Sequence, residues 1–401
     1  MMQWTTTELD KVASVFNGKT PAKSEQRSEG HPVLKIRDVD EMGLFRGPFE
    51  SFVDDDLAQK HGVKKVRAGD TLILNAAHNA DYVASKTFRA TPPSFGALAT
   101  GEWLVVRPND QLLDPGFANH WINSRQTRLR LRELVNGIHL YPKDVARLKI
   151  SYPLLPEQRR IAAILDQAET LRTQRRTALA LLDSLTQSLF LEMFGDPVAN
   201  DRGWPHSLTL GEVADIASGV TKGRKLDGKV TREVPYLAVA NVQDKTLRMD
   251  GLKTIEATED EVARYRLQKD DLLLTEGGDP DKLGRGTLWK EELPECIHQN
   301  HIFRVRLTHA ALHPLFLNWL VGSTRGKNYF LRSAKQTTGI ASINMTQLRS
   351  FPLLVPPLPL QQTFATRIAS IEALKATHRR ALAALDALFA SLQQRAFAGQ
   401  L

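Results

Sequence analysis

The chain of 401 residues contains one cysteine, which excludes an internal disulfide and leaves no thiolate cluster to hold zinc. Cys296 is expected to be a small buried residue on a strand. Long apolar runs are missing as well: no window approaches the ~18 uninterrupted apolar residues of a membrane helix. The start, MMQWTTTELDK, has neither the basic nor the apolar region of a signal peptide, so the cytoplasm is the expected compartment. Nucleotide and catalytic motifs are equally scarce. TEGGDPDKLGRG (275–286) is rich in glycine but lacks the GxxxxGK[ST] spacing of a phosphate-cradling loop. TPPS (91–94) is not the Asn-Pro-Pro-aromatic or Asp-Pro-Pro-aromatic site of a DNA amino-methyltransferase, and no Glu-x-Lys follows an acidic strand as in a nuclease. His298 and His301 stand three residues apart on an expected strand and face opposite ways, which does not suit chelation. No catalytic residue, metal or cofactor of its own is expected in this chain.

What is present is an ordinary globular composition, 42% hydrophobic and 24% charged, long enough for two or three domains. The net charge of +8 suits a polyanionic partner. Because both signs are interspersed along the whole chain, contact with such a partner has to come from local patches on folded surfaces.

A repeat carries more information than the charge. Residues 153–171 read PLLPEQRRIAAILDQAETL and residues 356–374 read PPLPLQQTFATRIASIEAL. Sliding the chain by 203 positions matches 153–194 to 356–397 without a gap, and more than a third of the pairs are identical, where chance gives about 3. Duplication is the economical account. Each copy reads as one long helix: Pro156 suits a first turn, where its missing N–H costs nothing, and Gly195 with Pro197 ends the first copy after Phe194. With Ile161 and Phe364 as position a, the a and d series are mostly apolar over five heptads, so each helix is expected to take a partner helix through an a/d seam. Arg175 and His378 occupy the central a positions. They either fix register or reach past the seam to solvent.

The stretches between the helices echo one another faintly. LDKVASVFNGKT (9–20) and LGEVADIASGVT (210–221) each suggest a short helix running into a glycine turn. PVLKIRDV (32–39) and PYLAVANV (235–242), then DTLILN (70–75) and DLLLTE (271–276), read as strands. The expected fold class is α+β: two globular domains of mixed α/β character, at 1–152 and 197–355, separated by two long helices, at 153–196 and 356–401, that form an antiparallel coiled coil with a pseudo-twofold internal repeat. A helix from Pro156 to Phe194 would span about 58 Å at about 1.5 Å per residue, one to one and a half turns of B-DNA once overlap with the domains is allowed for.

This arrangement resembles the DNA-specificity subunit of type I restriction-modification systems, in which two target-recognition domains alternate with two helical regions. The phrases LLPEQRRIAAILD, LFLEMFGDP, LLLTEGGDPDKLGRG, IHQNHIFRVR and TTGIASINMTQL carry the likeness in the family's order, over essentially the whole chain. One departure is that LPLQQ of the second helix lacks a counterpart to Glu157. The resemblance implies sequence-specific DNA recognition, each domain reading one half of a split, asymmetric target. It also implies two modification subunits that use S-adenosylmethionine to methylate adenine N6 in each half, and restriction subunits that use ATP and Mg to translocate and cleave unmodified DNA. One turn between half-site centres implies a gap of about 5 to 8 base pairs. The competing reading is a non-catalytic coiled-coil scaffold presenting two protein- or glycan-binding modules; steeply salt-sensitive binding to duplex DNA separates the two.

Candidate DNA contacts follow from loop chemistry. GVTKGRK (219–225) places Thr221, Lys222, Arg224 and Lys225 on a glycine-flanked loop, suited to phosphates or to Arg on guanine. TEGGDPDKLGRG adds Lys282 and Arg285, and IHQNH (297–301) offers Gln299, Asn300 and His301, the amides suited to adenine edges. KQTTG (335–339) contributes Lys335 and Thr337, or is a plain turn. LNAAHNADYVASK (74–86) is read as the first-domain counterpart of IHQNH, with Asn75, His78, Asn79 and Lys86; Lys19, Lys23, Lys35 and Arg37 are candidate phosphate contacts.

Overall fold

Both proline-led phrases open helices of 40 residues, Leu155–Phe194 and Leu358–Phe397, in a computed structural model that describes residues 4–226, 228–278, 283–337 and 340–401, with backbone alone over 335–337 and at 340. Each long helix contributes part of its length to each of two compact units, one formed by residues 1–177 with 379–401 and the other by 178–378. One glutamine anchors each helix start. Gln158 is fully buried: its Oε1 accepts from Asp114 N at 2.8 Å, and its Nε2 donates to the carbonyls of Leu112 and Pro153 at 3.0 and 2.8 Å. Gln361 repeats this in the second unit with His313 N, Ala311 and Pro356 at 2.8, 3.0 and 2.7 Å.

In the first unit a four-stranded antiparallel sheet runs in the order Ala13–Asn17, Trp103–Pro108, Thr71–Leu74, Thr87–Arg89. Successive residues of a strand face opposite sides, so one strand feeds two cores. Leu104 and Val106 pack with Phe117, Ile161 and Leu165 on the helical side. Trp103 and Val105 pack with Leu34, Phe88 and Ala99 toward a smaller sheet. The second unit repeats the order as Ala214–Ser218, Ile302–Leu307, Leu272–Thr275, Gly286–Leu288. Phe303 and Val305 face the helices there, with Phe316 and Phe364. Ile302 and Leu273 face Leu237, Trp289 and Cys296. Full burial of one such large side chain is worth roughly 1.5–3 kcal/mol. Cys296 is buried as expected, immediately before the short strand Ile297–His298 rather than on it, and burial pushes its thiol up to about 12.

The smaller sheets are matched too. In each, a parallel pair lies beside antiparallel strands: His31–Leu34 with Leu98–Ala99 in the first unit, Arg232–Leu237 with Ile297–His298 in the second. Each unit also buries one carboxylate on the main sheet. Asp70 is closed to solvent and held by Arg107 through two hydrogen bonds of 2.7 Å. Asp271 is equally closed and held by Arg306 at 2.7 and 2.6 Å.

The seam between the long helices differs from the a/d expectation. Position a is covered at Ile161, Ala168, Leu189 and Phe364, but the d-position leucines Leu171, Leu185, Leu374 and Leu388 are 40 to 50% exposed. Position e takes their place in the seam, with Leu165, Thr186, Ile368, Lys375 and Ala396 buried. Polar e residues hid this stripe, and they are paired. In the first unit Arg172 bonds Glu169 and, at 2.7 Å, Asp386; in the second, Lys375 reaches Glu372 at 2.7 Å and Asp183 at 2.8 Å. These two trios are the same three positions 203 residues apart, and in both units the bonds join a residue late in one helix half to one early in the other, so the helices run antiparallel. Arg175 and His378 are half-buried.

Candidate nucleic-acid interface

In both units the sheet strands end together on one side, and most of the proposed contact residues gather there. A glycine sets each of these ends. A Cβ on Gly18 would come within 2.2 Å of the Thr100 carbonyl oxygen, and one on Gly219 within 1.9 Å of that of His298, so only glycine lets the chain turn this close to its neighbour. The next amide locks the turn: Lys19 N donates to Ala99 O at 2.7 Å, Val220 N to His298 O at 2.8 Å.

In the second unit the loop after Gly219 exposes Thr221, Lys222 and Lys225. Arg224 is differently placed. It makes two bonds of 2.6 Å to Glu261 and one of 2.7 Å to the Glu256 carbonyl, and the Glu261 carboxylate raises its pKa above the ordinary guanidinium value. With those donors engaged, Arg224 braces the loop. Gln299 and Asn300 are half-exposed in the turn before the central strand. His301 is exposed, with Nδ1 2.5 Å from Glu276 Oε2. Arg285 donates to Gln243 Oε1 at 3.1 Å. The backbone of 335–337 pairs with that of 340–342, and Gly277–Gly278 adds a third strand, beside the same turn. Lys282 and the side chains of Lys335 and Thr337 lie outside the described residues.

In the first unit Lys19, His78 and Asn79 are exposed at the equivalent end. Asn79 caps the short turn Ala80–Tyr82 through Asp81 N at 3.0 Å, and the rings of His78 and Tyr82 lie 5.3 Å apart. Two other residues proposed here are internal. Asn75 is buried and donates to Asn17 Oδ1 at 2.7 Å, and Lys86, 8% exposed, reaches Val39 O and Glu41 at 2.9 Å. Lys35 follows the strand His31–Leu34 and is half-buried; Arg37 turns to Glu50 and Ser51, each at 3.2 Å; Lys23 is exposed on a turn of the smaller sheet.

The pairing of loops between the units differs from the sequence-based one. Leu74 N bonds Lys86 O as Thr275 N bonds Arg285 O, so 74–86 matches 275–285. The counterpart of Gln299, Asn300 and His301 is Thr100, Gly101 and Glu102: Trp103 N returns to Thr100 O at 3.0 Å, and Ile302 N to Gln299 O at 2.9 Å. Glu102 was therefore missed. The offset of 199 between the strands Trp103–Pro108 and Ile302–Leu307 is the signal that finds it. Glu102 lines two clefts, of about 460 Å³ and 320 Å³, the larger also lined by His78, Tyr82 and Lys86.

One histidine under this turn titrates far from its usual range. Burial pushes His298 from 6.5 down to about 4; its Nδ1 lies 2.9 Å from the Ile302 carbonyl and its Nε2 has no hydrogen-bond partner among the described residues. The unfolded chain takes up a proton near pH 6.5 that the folded unit refuses until about pH 4. The contribution of His298 to stability is thus complete above pH 6.5 and is expected to drop by roughly 3 kcal/mol on the way to pH 4. Urea unfolding at pH 7.5 and 4.5 measures it. The first unit has Ala99 at this place, and in His298→Ala that part of the pH slope should vanish; an unaltered slope refutes the assignment.

A family model described as type I restriction modification DNA specificity domain matches residues 1–180 and again 203–386. The chain belongs to this family. It is a specificity subunit, which recognises a DNA target sequence for a type I restriction-modification system; such subunits are not enzymes and hold no cofactor. The specificity chain is 24% identical to the StySPI specificity subunit of Salmonella potsdam and 24% identical to the EcoKI specificity subunit of Escherichia coli K12, in each case over 99% of this chain and 89% of the relative. Its fold is like that of the type I S subunit from M. genitalium, with a TM-score of 0.60 at 15% identity over 99% and 96% of the two chains. It is also like a chain from a type I R-M system solved for its complex assembly and conformational transition, with a TM-score of 0.54 at 18% identity over the whole of both. No helix among the described residues is long and apolar enough to cross a membrane.

Proposed function

We propose that each unit of this specificity chain reads one half of a bipartite, asymmetric DNA target and directs partner subunits to methylate adenine N6 in each half. One observation carries this: the two units present unlike side chains on like scaffolds, Thr100-Gly101-Glu102 in one and Gln299-Asn300-His301 in the other, each at the corresponding end of its own unit's sheet. Like scaffolds make like approaches to a duplex, and unlike side chains select unlike sequences. Lys19, Thr221, Lys222 and Lys225 supply phosphate contacts, with Gln299, Asn300 and His301 on base edges. Target-recognition domains at 1–152 and 197–355 alternate with helical spacers at 153–196 and 356–401. Two modification subunits bring S-adenosylmethionine, restriction subunits bring ATP and Mg, and the assembly works in the cytoplasm.

The spacer helices act as a ruler for the gap between half-sites. Seven residues added to each lengthen a helix by about 10 Å, so the gap should grow by about 3 base pairs. Genome-wide mapping of methylated adenines, with and without the gene and then with the lengthened variant, tests both ideas. A motif that does not depend on the gene refutes the function, and an unchanged gap in the lengthened variant refutes the ruler.

A further inference from the structure

Resting on that reading and deepening it, the geometry points to Glu102 and His301 as counterpart base-reading positions. Glu102 selects, in one half of the target, a base whose groove edge carries an amino group; His301 accepts in the other half the guanine edge that Glu102 rejects. The two residues hold the same backbone place. Asn75 N donates to Glu102 O at 2.9 Å and Glu276 N to His301 O at 3.0 Å, each immediately before the central strand.

Each side chain is held at one atom and open at another. Thr20 Oγ1 accepts from Gly101 N at 2.8 Å and donates to Glu102 Oε2 at 3.2 Å, which leaves Oε1 without a protein partner among the described residues. In the second unit a carboxylate can only accept, so Glu276 requires the proton on Nδ1 of His301 and Nε2 is left for the groove. Held side chains lose little freedom when a base arrives.

The chemistry of the two differs: one is a carboxylate, the other an imidazole. A carboxylate accepts from N4 of cytosine or N6 of adenine. Facing guanine O6 and N7 or thymine O4 it meets lone pairs, and, desolvated beside phosphates, it is left unpaired; the wrong base is thereby rejected as well as the right one bound. His301 brings no carboxylate to the groove and leaves Nε2 free of Glu276, so guanine O6 and N7 do not meet there the anion that Glu102 would set against them.

The test uses the full chain in complex with its modification subunits, acting on a library of randomised duplexes whose methylated products are sequenced. Glu102→Gln keeps the shape and can keep the Thr20 bond, but replaces the anion with a group that also donates. One base position of a single half-site should lose about tenfold of its preference, with the other half and the gap unchanged. His301→Gln should disturb only the opposite half. Should Glu102→Gln fold poorly, Glu102→Asp, which withdraws the same charge by one methylene, should weaken methylation through that half about tenfold. A parent motif that survives all these variants unaltered overturns the inference while the proposed function stands; absence of a bipartite motif from the parent complex overturns the function beneath it.

Discussion

Gln158→Leu is expected to lower the stability of the first unit by roughly 3–5 kcal/mol, because it leaves one buried carbonyl and a part-buried N–H and carbonyl without their partner, at a cost of about 1–3 kcal/mol each, offset in part by the apolar side chain. The three groups are Asp114 N, Leu112 O and Pro153 O. For a unit of this size, about 2–4 °C of melting temperature is lost per kcal/mol, so thermal melting should shift by roughly 10 °C. Gln361→Leu should do the same in the second unit, through His313 N, Ala311 O and Pro356 O. The amide is the only uncharged side chain that offers an acceptor and two donors from one end. Gln158→Glu keeps the acceptor and sets a carboxylate against two carbonyl oxygens, so it should be no milder than leucine. A melt within about 2 °C of the parent for either leucine variant would show that the helix starts are held by something else.

Breaking the pair under the second sheet should cost a similar amount. Asp271 is closed to solvent and accepts two bonds from Arg306 and one of 2.7 Å from Gln268 N. Asp271→Ala strands a largely buried guanidinium and an amide, an expected loss of about 3–5 kcal/mol. Replacing both partners, Asp271→Leu with Arg306→Met, removes the charges together and should recover most of that loss, since an apolar pair of similar volume is often neutral. Denaturant unfolding of Asp271→Leu, Arg306→Met and the double variant yields the coupling between the sites. Equal losses in the single and double variants would mean that packing, not charge pairing, holds this part of the sheet.

The helices were plain in the sequence and their seam was not. Proline at the first turn, glycine after Phe194 and apolar spacing identify a helix from local chemistry alone. Which stripe is covered depends on partners that local chemistry cannot name. Arg172, Lys375 and Thr186 look like solvent-facing residues, and Leu171, Leu185, Leu374 and Leu388 like seam residues. Carboxylates from the other helix, Asp386 and Asp183, reverse that reading.

The candidate site divides along the same line. Exposed Lys19 and Lys222 were legible as loop residues beside glycines, and His301 as part of the polar run before the strand IFRVRL. Asn75, Lys86 and Arg224 have the same residue chemistry, but internal acceptors claim them: Asn17, Val39 with Glu41, and Glu261. Glu102 escaped notice because the offset between copies drifts from 203 at the helices to 199 at the central strands, and a loop-by-loop comparison then sets 74–86 against the wrong partner.

The sequence alone determined the duplication, the two long helices, the α+β class and the absence of catalytic motifs, since helices, strands and motifs are written in spacing between near neighbours and the duplication in the direct match of two segments. Only the tertiary structure decided which helix stripe is buried, which polar side chains remain open at the reading ends, and that Glu102 stands where His301 stands. Those outcomes depend on which acceptor lies within about 3 Å in space: Thr20 and Glu102 are 82 positions apart in the chain and Arg172 and Asp386 are 214 apart, and no local pattern records that they meet.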